Sequence, residues 1–135
     1  MAEFYLINIL RKDQPFFIYN KKNLPLDKVD MMQCELTGIG YVLYSISGSN
    51  FKMIRLDNGY LVQKKKSYFH DADSCEFSFI EGYNSKAKNA SESRQIQRKM
   101  QIHINAFDKI FQDFKFSESI PNKQFHEFRK YLATQ

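Results

Sequence analysis

A chain of 135 residues that is 43% apolar and 16% aromatic is too rich in rings and aliphatic groups to be a charge-dominated disordered chain. It is also long enough to bury a core without metal or disulfide staples. The formal charge of +5, the thirteen Phe and eight Tyr, and the two cysteines, Cys34 and Cys75, in unrelated contexts exclude a disulfide scaffold and describe a ring-built, mildly basic chain.

Residues 3–11, EFYLINILR, are aromatic and β-branched on both alternate sets and predict a strand buried on both faces. Lys12-Asp13-Gln14-Pro15 predicts a turn, and Phe16–Tyr19 returns as the second strand of a hairpin. Pro15 belongs at that strand's start, because it cannot donate to a ladder. Asn20–Asp30 reads as a surface connection. Residues 27–37 fit two patterns. Asp27 could cap a short helix with Val29, Met32 and Leu36 inward, or Met32, Cys34 and Leu36 could alternate with Gln33, Glu35 and Thr37 in a strand. The strand is preferred, since Gly38-Ile39-Gly40 then turns into Tyr41–Ser47.

Tyr41–Ser47, Phe51–Leu56 and Tyr60–Tyr68 predict three strands, joined by Gly48-Ser49-Asn50 and by Asp57-Asn58-Gly59. Asn-Gly suits a two-residue hairpin turn, whose central residues need positive φ. In Tyr60–Tyr68, Leu61, Gln63 and Lys65 share one face and Val62, Lys64 and Lys66 the other. Lysines on both faces mean that the distal half of this strand reaches past the core edge, or that it is an edge strand, where lysines block edge-to-edge pairing. His70–Cys75 reads as an acidic connection, and Glu76–Tyr83 as a further strand with Phe77, Phe79 and Glu81 on one face.

After a polar loop, Asn84–Lys88, the stretch Asn89–Phe116 contains no Gly or Pro. Its Ile96, Met100, Ile104, Phe107, Ile110, Phe111 and Phe114 recur at steps of three and four, which places them in a stripe about 120° wide on a helix. Asn89 with Glu92 has the form of a capping box, and Ser91 or Ser93 could serve instead. Pro121 suits the first turn of a last helix whose buried stripe is Phe125, Phe128 and Leu132. The predicted fold class is α+β: an antiparallel β-meander of about six to seven strands packed by a long C-terminal amphipathic helix and a short last helix. One domain spans residues 1–135, strand-rich over 1–83 and helical over 89–133.

The charge is banded. Residues 1–60 carry seven Lys and Arg against six Asp and Glu, and residues 61–135 carry thirteen against nine. Arg94, Arg98 and Lys99 crowd the start of the long helix, the wrong end for its dipole, beside Lys86 and Lys88. Unpaired N–H groups and the dipole make a helix N-terminus an anion site. Lys64, Lys65 and Lys66 extend that site if the sheet end lies nearby. These eight residues are the candidate anion-binding set. Glu92 and the acids between residues 71 and 81 are the counterweight, and would neutralise the band if they face it.

No P-loop, dinucleotide-binding glycine motif, HExxH or nucleophile elbow occurs. No catalytic residue, metal or cofactor is expected. His70-Asp71-Ala72-Asp73 with Cys75 would need His103 or His126 brought to it to bind a metal. His103, within the apolar stripe, reads as a core-edge histidine rather than a general base. A motif-less, metal-independent ribonuclease built from His, Lys, Tyr and Glu is the enzymatic alternative.

The expectation is a non-enzymatic binding module that recognises an anionic macromolecule, most simply nucleic acid. The alternative is an inhibitor or immunity-type protein that docks on a protein partner with an acidic surface. A homodimer through an edge strand is compatible with either. MAEFYLINIL lacks the basic start of a secretion signal and no apolar run reaches the length of a membrane span, so a cytoplasmic location and no membrane partner are expected.

Overall fold

The computed structural model describes residues 2–22, 44–46, 51–56, 58–86 and 91–135. The expectations for residues 27–37, for Cys34, for Lys88 and for the Asn89 cap lie outside them. The elements are β1 (Glu3–Arg11), β2 (Gln14–Asn20), β3 (Tyr44–Ile46), β4 (Phe51–Leu56), β5 (Gly59–His70), β6 (Asp73–Asn84), α1 (Glu92–Phe111) and α2 (Asn122–Leu132). The fold is α+β. Among the described residues the strands form one antiparallel sheet in the order β2-β1-β6-β5-β4-β3.

This order corrects the simple meander. β3 to β6 do run as neighbours, but β6 closes onto β1, with Phe79 opposite Ile9 and Phe77 opposite Arg11. The physical reason lies in β1 itself. A strand apolar on both alternate sets needs cover on both faces and a neighbour on each side, and the first strand of a meander would be an edge. Here β1 is inside the sheet and β2, with Pro15, takes the edge. β5 is likewise internal, between β4 and β6, so its lysines are not edge guards.

Both hairpins with fully described loops turn on residues with positive φ. Lys12 and Asp13 (φ 50° and 63°) link β1 to β2, as a tight hairpin with right-handed strand twist requires. The predicted acidic connection His70–Cys75 shrinks to Asp71-Ala72, with Asp71 at φ 53°. The strands continue because Tyr68 pairs with Cys75 and both are buried. Gly59 differs from its expected role. It pairs with Leu56 inside the ladder, and a Cβ there would collide with the backbone carbonyl of Tyr83. Its absent side chain allows close strand approach rather than a turn.

Both helices pack on one sheet face. Phe4, Ile7, Ile9, Phe17, Tyr60, Val62, Phe77, Phe79 and Tyr83 meet Ile96, Met100, Ile104, Phe107 and Phe111 of α1 and Phe128 and Leu132 of α2. Phe107 is the hub, its ring contacting Phe16, Tyr68, Phe77, Phe79, Phe111 and Phe128. Full burial of such a ring contributes about 1.5–3 kcal/mol, which fixes α1 firmly over β5 and β6. The other sheet face carries a smaller cluster of Leu10, Ile54, Leu61 and Ile80. α1 ends at Phe111, five residues before the predicted Phe116, in turns where Phe111 O accepts Phe114 N–H and Phe114 O accepts Ser117 N–H.

Candidate nucleic-acid interface on the long helix

β5 lies beneath α1 and runs in the same direction. Tyr60 OH donates to Glu92 Oε1 at 3.4 Å, Lys64 Nζ to Gln101 Oε1 at 2.9 Å, and Lys66 Nζ to Asp108 Oδ2 at 2.7 Å. The match follows from geometry. From Glu92 to Asp108 a helix advances about 24 Å, and from Tyr60 to Lys66 a strand advances about 20 Å. The lysines of β5 therefore meet the middle and far half of α1, not its first turn.

The first turn has its own anion. Glu92 is 1% exposed, and its carboxylate accepts hydrogen bonds from Ser85 Oγ and Tyr60 OH. A buried carboxylate there already interacts with the helix dipole and the unpaired N–H groups. Among the described residues Ser85 and Tyr60 hold Glu92; its expected capping partner Asn89 lies outside them.

The eight candidate residues separate accordingly. Lys64 is held by Gln101, which in turn donates to Asn105 Oδ1 at 2.8 Å. Lys66 is paired with Asp108. Lys99 Nζ donates to the Ala2 carbonyl at 2.8 Å. Lys65 alternates onto the opposite face of the sheet and is half-buried. Lys86, Arg94 and Arg98 are exposed. Among the described residues no acid forms an ion pair with Arg94 or Arg98.

Arg94 and Arg98 head an outward row on α1 that continues through Ile102, Asn105 and Lys109, all exposed. Glu92 and Asp108 flank this stretch of helix but do not weaken it equally. Glu92 is turned inward, and Asp108 is engaged by Lys66, by Lys115 at 3.3 Å and by Tyr68 OH. Burial, then the hydrogen bond to Asp108 and its charge, push the Tyr68 phenol far above its usual range, so Tyr68 stays a donor.

Sequence undervalued a second buried cluster. His103 Nδ1 lies 2.9 Å and 3.1 Å from the two oxygens of Glu81, and Tyr83 OH donates to Glu81 Oε1. Burial first, and then the charge and hydrogen bond of Glu81, raise the Tyr83 phenol well above its usual value. The signal was legible: Glu81 shares parity with Phe77, Phe79 and Tyr83, and His103 sits in the apolar stripe. Glu81 is 0% and His103 2% exposed, so the pair lies within the core beneath α1. Among the described residues no group of three or more His, Cys, Asp and Glu side chains could hold a metal ion, and no helix is long and apolar enough to cross a membrane.

An open groove of about 520 Å³ lies where α1 meets α2. Ala106, Ile110, Phe114 and Tyr131 supply its apolar lining, with Lys109, Asp113 and Glu127 also along it.

No known protein family, curated protein or solved structure matches the chain.

Proposed function

We propose that this protein is a non-enzymatic binding module that recognises an anionic macromolecule, most simply nucleic acid, through the outward row of α1. One observation carries this: Arg94, Arg98 and Lys109 stand exposed along one helix face, while the acids nearest in sequence, Glu92 and Asp108, are committed to internal partners. Arg94 and Arg98, with no ion-pair partner among the described residues, attract polyanions and steer their approach, whereas Lys109 shares its surroundings with Asp113 and Glu127. Lys86 belongs to the same exposed set, and Lys64, whose partner Gln101 is uncharged, adds field from the β5 flank, whereas Lys66 is offset by Asp108. The helix N-terminus itself plays a smaller part than its sequence suggests, because Glu92 occupies it.

The test is fluorescence anisotropy of a mixed panel of labelled DNA and RNA oligonucleotides at low and moderate salt. Binding that weakens steeply with salt and is lost in Arg94→Glu/Arg98→Glu supports the proposal. No binding to any oligonucleotide at low salt removes it.

The groove between α1 and α2 favours a second reading, docking on a protein partner as an inhibitor or immunity-type protein does. Its apolar lining suits an inserted side chain. A single stoichiometric protein partner whose binding survives nuclease and is lost in Ile110→Glu would favour that function instead.

A further inference from the structure

We infer that the outer edge of β2 is a self-association surface, complementary to a second copy of this chain, and that Arg129 of α2 holds it closed. The inference does not depend on the α1 row, and failure of either leaves the other standing. β2 is the last strand at one end of the sheet, and an edge strand offers its outward N–H and C=O groups to any strand that can pair with it. Charged side chains, Pro and bulges are the usual protection. From Gln14 to Asn20 the strand reads QPFFIYN, with no charged residue. Pro15 protects its start, and the register shift opposite Ile9 and Leu10 lies at the same end. Lys21 and Lys22 follow the strand but are drawn to the Gln135 carbonyl and to Asn84 Oδ1. The stretch Phe16–Asn20 carries no guard of its own.

The guard comes from α2. Phe17 meets the rings of Phe125 and Phe128, which seats α2 over β2. Arg129 is turned about 100° from Phe128 around the helix, and it reaches the strand. Its Nη1 donates to the Ile18 carbonyl at 2.8 Å, and its guanidinium lies 4.8 Å from the centre of the Phe17 ring. In an antiparallel pair the N–H and C=O of one residue point the same way, so Ile18 turns both groups away from β1. A second β2 would pair here, antiparallel about a two-fold axis through Ile18, and closed two-fold pairs are the commonest assemblies of identical chains. A strand without charges pairs with itself without setting like charges opposite one another, which is why the fitting partner is a second copy. Arg129 opposes that pair in two ways. It occupies the acceptor that the incoming Ile18 N–H needs, and the two-fold axis would bring two guanidinium groups together at the seam.

The experiment compares the full chain with Arg129→Ala by sedimentation velocity. The unaltered chain should keep one mass between about 10 μM and about 500 μM, while that of Arg129→Ala rises about twofold over the same range. Lys130→Ala removes the same charge from an exposed site on α2 and should behave as the unaltered chain, as should Arg129→Lys, which keeps a donor and a charge at the edge. Hydrogen exchange locates the contact: the Ile18 amide should slow at the higher concentration in Arg129→Ala alone. Circular dichroism checks that each variant is folded, and Arg129→Met, which keeps the stem over Phe17, gives the same reading if the alanine variant is not. A folded Arg129→Ala or Arg129→Met that keeps one mass throughout overturns the inference. So does equal association of Lys130→Ala, or association that leaves exchange at Ile18 unchanged.

Discussion

Glu81 of β6 and His103 of α1 meet beneath the helix, His103 Nδ1 2.9 Å from Glu81 Oε2, with side chains 0% and 2% exposed. Tyr83 OH completes the cluster. A buried pair of this kind adds little over an apolar pair of the same volume, but removing one member strands the other. His103→Ala and Glu81→Ala are each expected to lower unfolding free energy by about 3–5 kcal/mol. The double variant Glu81→Ala/His103→Ala should cost clearly less than the sum of the two. Urea denaturation of the four proteins measures this, and a simple sum would show that the two side chains are not coupled.

Asp108 joins fold to function. It accepts from Tyr68 OH, Lys66 and Lys115, and it is a quarter exposed, so each lysine contact contributes at most about 1 kcal/mol. Asp108→Asn is expected to cost about 1–2 kcal/mol of stability in total. The same variant releases Lys66 and Lys115 from their counter-charge and should tighten oligonucleotide binding with a steeper salt dependence. Stability lost without any gain in affinity would separate this flank from the interface.

Stability should fall in alkali through Tyr68 and Tyr83. Both phenols are raised above the ordinary value of 10.0, first by burial and then by Asp108 and Glu81 respectively. Below that value both folded and unfolded chains keep the proton, and this contribution is fully present. Above it the unfolded chain releases protons that the folded chain retains, so stability drops by about 1.4 kcal/mol per pH unit for each tyrosine. Denaturation midpoints measured between pH 9 and 12 should show this slope, and Tyr68→Phe should shallow it by one proton. A flat profile would mean that neither phenol is protected.

Two glycines should respond differently to a single methyl group. A Cβ on Gly59 collides with the backbone carbonyl of Tyr83, whereas on Gly82 it lies 2.8 Å from Cζ of the Tyr5 ring. Strand backbones held by a ladder cannot move apart cheaply, while the far end of a tyrosine can swing. Gly59→Ala is expected to cost about 3 kcal/mol or more and Gly82→Ala about 1 kcal/mol. Thermal melts order the two, and the reverse order would contradict the register of β5 on β6.

Much of the fold was written locally. The period of Ile96, Met100, Ile104, Phe107 and Phe111 marks the buried side of α1, the alternation in EFYLINILR requires cover on both faces of β1, and Phe128 and Leu132 face the core as their spacing implies. These are properties of neighbouring residues, set by the repeat of a helix or a strand. The double-sided apolar character of β1 even argued against the meander, because only an internal position satisfies it.

What sequence alone determined, then, is which side of each element is apolar and where positive charge gathers along the chain. Only tertiary structure decided which charges face solvent. Lys66 finds Asp108 from 42 residues away, Lys99 finds the Ala2 carbonyl from 97, and Glu92 finds Tyr60 from 32. A charged side chain is free or paired according to which groups stand within a few ångströms, and no local period encodes that distance. Arg94 and Arg98 remain outward, four residues apart on one face, because the buried stripe that anchors α1 points the other way.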